Sequence, residues 1–463
     1  MSRHHVVDME FLKQYKERKM KRRDFLKASV AAAFGAPLVA DAWQKPSMSR
    51  PMQDSWFNEP WQGMYDPNDF ICVKPAVHII GTNRLGVWWK TKDIAVGWVD
   101  ASQDGGATYR RYWLERDGVR SSNTCTHIAV IDDYDSTKPL KFRAVARPIA
   151  EYGRFGQVRY KGETIPGVNL KAYDVGIYAY EKFARERAKR YTGEEYVYEG
   201  EVAAVNPGDY NVVMFNDIHH TLGFYPELIK YAPKSVALAV FAGDILDHAR
   251  SDADFDKHLS APMAYVGKEL RCLTCFSRGN HEMMGVYSRY VRDHIALFDD
   301  SFYGAFSIGS VRFAVLDTGV PTVREDPMLL DGYAMGPYLK RERRWLERES
   351  ASEEWKSAEK RVAFAHIPPY PDTAKEYRSV NSEIYKVVEN DLSLLMAGHL
   401  HNGRYHKPGT MAKFPVVVGG GPYRTRSAKG NRIATMSVLS VKGDSLEVYQ
   451  VGLDGKESFR MKI

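Results

Sequence analysis

Five short stretches of this chain set metal-binding or acid–base residues side by side: "NDIHH" (216–220), "AGDILDH" (242–248), "RGNHE" (278–282), "FAHIPP" (364–369) and "AGHLH" (397–401). Their donors are carboxylate oxygens, imidazole nitrogens and one amide oxygen, with no thiolate. That set suits Fe, Mn or Zn. Asp217/His219 and His399/His401 are i, i+2 pairs, and both members of such a pair face the same way from an extended segment. Taken singly, each stretch says little. A D-x-H triplet arises by chance in a long chain, and a lone His at a strand end is more often a satisfied polar residue than a ligand. The joint pattern is what carries chemistry. Each stretch closes an apolar run, and Gly243, Gly279 and Gly398 precede three of them, where glycine permits a tight turn and close backbone approach.

The elements that position these residues follow from periodicity. "NVVMFND" (211–217), "VALAVFAGD" (236–244) and "LRCLTCFSRGN" (270–280) are buried-strand runs separated by helix-like stretches. This alternation predicts a βαβαβ core with parallel strands. "GAFSIGSVRFAVLDT" (304–318) reads as a hairpin, "LKRERRWLERES" as an amphipathic helix, and "RVAFAHIPP" and "LSLLMAGHLH" as two further strands. In an open α/β sheet the carboxyl ends of the strands share one edge, where ligands bind. Asp217, His219, Asp244, Asp247, Asn280, His281, His366, His399 and His401 are thereby expected to converge. Before this core, residues 73–150 hold short apolar runs broken by Gly, Asp, Asn and Ser, the pattern of a small antiparallel β-sandwich. Residues 170–191 read as a charged connecting helix.

The ordered set D-x-H, G-D-x-x-D, G-N-H-E, H and G-H-x-H resembles the calcineurin-like metallophosphoesterase superfamily over about 209–437. The resemblance implies a four-layer α/β/β/α sandwich for 205–463, with 43–200 as lead-in, fibronectin III-like sandwich and connecting helix. It also implies two metal ions. Asp217, His219 and His401 would hold one, Asn280, His366 and His399 the other, and Asp244 would bridge them. Asn280 would complete a shell without adding negative charge where a phosphate docks. A metal-bridging hydroxide would attack phosphorus, and His281, not a ligand, would aid the leaving group with Asp247 holding its tautomer. Glu282 is expected to be a structural hydrogen-bonding partner, and Asp317 structural. His220 and His248 lie close by in sequence.

The N-terminal sandwich ahead of such a core looks like the purple acid phosphatase arrangement, with two departures. Those enzymes carry D-x-G where this chain has Asp217-Ile218-His219, and Tyr where it has Asp247. The protein-serine/threonine phosphatases carry Arg where this chain has His248. The expected activity is phosphomonoester hydrolysis of a small phosphorylated substrate. A phosphodiesterase or nucleotidase would use the same centre, and a catalytically silent binding module would be marked by lost donors; none is lost.

Composition bounds the rest. The chain has 463 residues, 44% hydrophobic and 27% charged, and a formal charge of +7. Residues 1–42 contribute nine Lys/Arg against five Asp/Glu, so the remainder carries only +3. That is too weak for a polyanion-binding face, and no nucleic-acid partner is expected. Four cysteines are present. Cys272 and Cys275, i and i+3 on a strand, point to opposite faces and read as core thiols; Cys72 and Cys125 leave a disulfide open. "KRRDFLKASVAAAFGAPLVADA" pairs Arg22 with Arg23, follows with a short Ala-rich segment, and ends in small-x-small at Ala40-Asp41-Ala42. It resembles a twin-arginine export signal, and the other reading is a basic amphipathic helix. No Cys follows the cleavage point, so no stable membrane anchor is expected. The expectation is export through the twin-arginine translocase to the periplasm or beyond. Changing both Arg22 and Arg23 to Lys should leave the precursor in the cytoplasm on fractionation; unaltered export would contradict the motif.

Overall fold

The three apolar runs become the strands Asp209–Phe215, Val236–Ala242 and Leu273–Ser277. In the computed structural model they pair in parallel, with Val213 opposite Ala239 and Ala239 opposite Thr274. The structure describes residues 63–463 except 117, 121, 149–150, 153–157, 161–162, 165–194, 286, 320–333, 370–380 and 426–431. The export signal with Arg22 and Arg23, the lead-in to residue 62 and the expected helix at 170–191 lie outside the described residues. Parallel pairing needs crossovers. The helix Phe224–Ile229 supplies one. The other runs through Asp252–Phe255, a π-helical turn at Asp256–Ser260, and Ala261–Leu270. Ser251 starts it with a reciprocal cap: its hydroxyl accepts from the Asp254 N–H, and the Asp254 carboxylate accepts from the Ser251 N–H.

The expected hairpin forms from Gly304–Ile308 and Val311–Val315. It opens a second, six-stranded sheet that continues in parallel through Lys360–Phe364, Leu394–Ala397 and Val416–Val418. Side-chain alternation with period two then stacks the layers. Val212, Met214, Leu238 and Val240 meet Phe313, Val315, Phe364 and Met396 between the sheets. Val213, Phe215, Ala239 and Phe241 pack outward on Phe224, Leu228, Met263 and Val266 of the crossover helices. On the far side Ala314, Leu316, Ala363 and Ala365 pack on Leu339 and Leu346 of the helix Met335–Ser350. The fold is therefore an α/β sandwich of four layers. Cys275 lies in the inter-sheet core and Cys272 on the helix side, as their i, i+3 spacing requires; all four cysteines are free thiols. No helix among the described residues is long and apolar enough to cross a membrane.

The antiparallel strands ahead of the core join the first sheet. Val73–Gly81 runs parallel to Leu273–Ser277 and antiparallel to Arg84–Ser102. The 19-residue strand Arg84–Ser102 changes partners along its length. Residues 85–96 pair with Ser122–Ile131, and residues 95–102 with Leu140–Pro148. Two polar contacts fasten this region to the core. The buried Thr274 hydroxyl donates to the Val77 carbonyl and so accepts from His78 Nδ1 at 2.9 Å. Lys90, 9% exposed, reaches Asp252 and, at 2.6 Å, the buried Asp256 of the π turn. His294 lies on the other side of the same carboxylates, 2.9 Å from Asp252 Oδ1. Asp252 is largely exposed, but without Lys90 the buried Asp256 keeps only His294 at 3.1 Å among the described residues, and breaking a buried ion pair costs about 3–5 kcal/mol. Lys90→Ala should therefore lower unfolding stability in urea by about 3 kcal/mol; a change within about 0.5 kcal/mol would mean that the cluster is solvated in practice.

Candidate metal centre

Each of the five stretches lies at or just past the C-terminal end of a strand. Asp217 follows Asp209–Phe215, Asp244 follows Val236–Ala242, Asn280 follows Leu273–Ser277, His366 follows Lys360–Phe364, and His399 follows Leu394–Ala397. Both sheets thus deliver donors to one place. The chain turns so sharply there that Asp217, His219, His220, Asp244, His399 and His401 all have positive φ, between 48° and 70°. These are six of the eleven non-glycine residues with positive φ among the described residues. Left-handed backbone disfavours a residue with Cβ by about 1–2 kcal/mol, so the fold concentrates strain at this site.

The predicted glycines act by close approach. A Cβ on Gly279 would lie 2.4 Å from both Asp244 N and Asp244 Oδ1, and one on Gly243 would lie 2.6 Å from Gly279 Cα. Glu282 locks the two loops together. Its buried carboxylate accepts from the N–H groups of Gly279 (2.8 Å), Asp244 (2.9 Å) and Ile245 (2.8 Å). Burial and the neighbouring Asp244 charge push the Glu282 carboxyl up. This is the structural role expected for it. Asp317 is structural as well: it pairs with buried Arg278 at 2.6 Å and accepts from Tyr338 Oη at 2.6 Å.

Two groups of donors converge, and Asp244 belongs to both. Asp217, His219, Asp244 and His401 form one group; Asp244, His366 and His399 form the other. In the first, Asp217 Oδ2 accepts from the His399 N–H at 2.8 Å and from Asn216 Nδ2 at 2.6 Å. Asp217 Oδ1 is buried and has no hydrogen bond, although His401 Nε2 is 3.1 Å away. His219 Nε2 lies 3.1 Å from His401 Nε2. In the second group, His366 Nε2 is 3.1 Å from both Asp244 Oδ2 and Asn280 Oδ1, and His399 Nδ1 is 2.9 Å from Asn280 Oδ1. His366 Nδ1 donates to the Ala242 carbonyl at 2.8 Å, which leaves Nε2 as the inward atom.

Such a pocket of buried carboxylates and bare nitrogens favours positive charge: burial opposes the charge on His366, but the facing Asp244 and Asp217 push it up to about 10. His399, by contrast, is driven down to about 4 by burial and by the neighbouring His366. The orphaned Asp217 oxygen and the mixed N/O donor set both fit metal ions.

Asp247 refines one expectation. Its carboxylate lies within 4.8 Å of the His281 ring but makes no hydrogen bond to it; Oδ1 accepts from His219 Nδ1 at 2.6 Å, and Oδ2 lies 3.4 Å from His220 Nδ1. The backbone carbonyl of Asp247 accepts from His281 Nδ1 at 2.8 Å. The reason is geometric: the i, i+2 turn at 217–219 brings His219 across the Gly243–Asp247 loop, as the bond from His219 N to the Asp244 carbonyl at 3.0 Å shows. Asp247 therefore orients a candidate ligand by its side chain and the candidate acid by its main chain. Asn216 was not legible as part of the site. Only its place before Asp217 hinted at a role, and Gly419 makes room for it, since a Cβ there would lie 1.7 Å from Asn216 Oδ1.

Residues 210–403 match the model of the calcineurin-like phosphoesterase family. No curated protein sequence matches the chain. Among solved structures, a purple acid phosphatase from yellow lupin (Lupinus luteus) seeds aligns with a TM-score of 0.52 at 12% identity, covering 84% of this chain and 73% of that one. PhoD aligns with a TM-score of 0.49 at 10% identity, covering 84% of this chain and 91% of that one. The chain carries a calcineurin-like phosphoesterase domain and is a hydrolase of phosphate esters. The family implies a dinuclear metal site. Because Asp247 props His219, Asp247→Asn should lower metal affinity about 10–100-fold, whereas His281→Ala should leave it unchanged. Chelator competition on both variants checks this, and the reverse order would restore the carboxylate to His281.

Proposed function

We propose that this chain is an exported, dinuclear metal-dependent phosphomonoesterase acting on a small phosphorylated substrate. The observation that carries the reading is that Asp244 belongs to both donor groups, as one carboxylate shared between two ions would. Asp217, His219 and His401 would hold one ion with it, and Asn280, His366 and His399 the other. The oxygen and nitrogen donors fit Fe, Mn or Zn. When bound, such a pair supplies an activated water and neutralises the charge of the phosphoryl group.

The protein's own part in the reaction falls to His281. Its Nδ1 donates to the Asp247 carbonyl, so that nitrogen must carry a proton. Nε2 is then the working atom. It lies 3.8 Å from Asp244 Oδ2, on a side chain 25% exposed. An imidazole held this way at the mouth of the pocket can deliver a proton from Nε2 to the leaving oxygen. The main-chain bond to Asp247 fixes the ring at Nδ1. Export through the twin-arginine translocase to the periplasm or beyond is part of the same proposal, supported by the Arg22-Arg23 segment.

General acid catalysis contributes about 10²–10⁴-fold, on the order of 3–5 kcal/mol. An alkoxide needs that proton and an aryl oxide of low pKa does not. His281→Ala should lose about 10²–10⁴-fold in kcat on alkyl phosphates and far less on activated aryl phosphates. An equal loss across the series would make His281 an electrostatic clamp. A preference for diesters over monoesters in the wild-type chain would overturn the monoesterase assignment.

A further inference from the structure

Asp247 holds three imidazoles, and only two of them belong to the site described. The third is His220, which has left-handed backbone (φ 64°) and lies 3.4 Å from Asp247 Oδ2. An ionised carboxylate only accepts, so a bond at this oxygen requires a proton on His220 Nδ1. That leaves His220 Nε2 as an acceptor. It is buried and has no hydrogen-bond partner among the described residues. The ring packed against it is His258, with centroids 4.1 Å apart and planes at 65°. His258 Nδ1 is likewise buried and unpartnered among the described residues.

His258 reaches this position from the π-helical turn Asp256–Ser260. A π turn has poorer hydrogen-bond geometry than an α turn and occurs where a side chain must be re-aimed, often at functional sites. Here it aims Asp256 at Lys90 and His258 at His220. His258 is 9% exposed and touches none of the donors of the metal centre in any polar contact described.

From this geometry we infer that His220 and His258 are positioning residues, a second tier that holds the Asp247 carboxylate and through it the orientation of His219. His219 Nδ1 donates to Asp247 Oδ1 at 2.6 Å, and His220 Nδ1 stands 3.4 Å from Asp247 Oδ2. The His258 ring backs His220 by packing against it, with no hydrogen bond between His258 Nδ1 and His220 Nε2. His219 Nε2 is left bare toward His401 and Asp217. A carboxylate held at one oxygen only could swing; here His219 holds Oδ1 and the His220 ring stands against Oδ2. Partners behind a metal-binding histidine typically set affinity by about 10–100-fold. The inference rests on the two-metal reading.

The test is metal binding by the full chain carrying His258→Leu, His258→Gln or His220→Gln, with Mn²⁺ affinity read by chelator competition and the visible band of the Co²⁺-loaded protein as a report on ligand orientation. His258→Leu should weaken one of two Mn²⁺ sites about 10–100-fold and shift the Co²⁺ band; His258→Gln, which keeps a flat polar group against His220, should recover part of both. His220→Gln should behave like His258→Leu. If His258→Leu fails to fold, the two Gln variants carry the test, with the full loss at one site for His220→Gln and a partial loss for His258→Gln. A wild-type chain that binds two ions, with variants indistinguishable from it, would overturn the inference alone. So would equal losses for Leu and Gln with an unshifted Co²⁺ band and a lower melting temperature of the metal-free chain, which would mean packing only. A wild-type chain that binds neither Mn²⁺ nor Co²⁺ at the centre would overturn the two-metal reading and this inference with it.

Discussion

The structure is organised around a carboxylate that has no business being buried. Asp244 is 1% exposed, sits in left-handed backbone, and lies within one pocket with Asp217 and, behind it, Glu282. An isolated buried charge is expensive enough that a protein either neutralises it or surrounds it with donors. Here both happen. The His281 N–H donates to Asp244 Oδ1 at 2.8 Å, His366 stands at 3.1 Å from Oδ2, and burial is outweighed so far that the carboxyl is held below the usual carboxylate range. Glu282 then takes the N–H of Asp244 itself. The glycines at 243 and 279, the left-handed turns and the two-sheet convergence all serve to bring these partners within reach.

That arrangement explains why the strain lies where it does. A strand end in ordinary extended conformation would direct Asp217 and His219 along the sheet. With both in left-handed backbone, the chain folds back so that His219 N bonds the Asp244 carbonyl and Nε2 meets His401. The neighbouring sheets over-determine these turns: Val212 and Met214 on one side of the strand and Val213 and Phe215 on the other are all fully buried. Each such residue contributes about 1.5–3 kcal/mol of apolar burial, enough in sum to hold several strained positions.

Much of this was legible in the residues. Buried strands, their order, the hairpin at 304–315 and the convergence of nine chemistry-bearing side chains follow from apolar runs ending in Asp, Asn or His. What stayed hidden depended on backbone geometry that local pattern does not specify. The carboxylate of Asp247 turned to His219 because of the turn at 217–219, and the role that spacing suggested for it passed to its carbonyl. Asn216 and His258 carry no ligand signal of their own: Asn216 only precedes the D-x-H triplet, and His258 stands in none of the five stretches. That the strands of 73–148 would share a sheet with Leu273–Ser277 could not be read either: an edge pairing such as His78 opposite Thr274 leaves no periodic signature.

The central claim is that donors from both sheets form a single centre for two ions with Asp244 between them. Anomalous diffraction from crystals of the Mn²⁺-loaded protein tests it most directly. The account predicts two peaks, one among Asp217, His219 and His401 and one among Asn280, His366 and His399, both against Asp244. A single peak, or peaks that leave Asp244 uncoordinated, would contradict it.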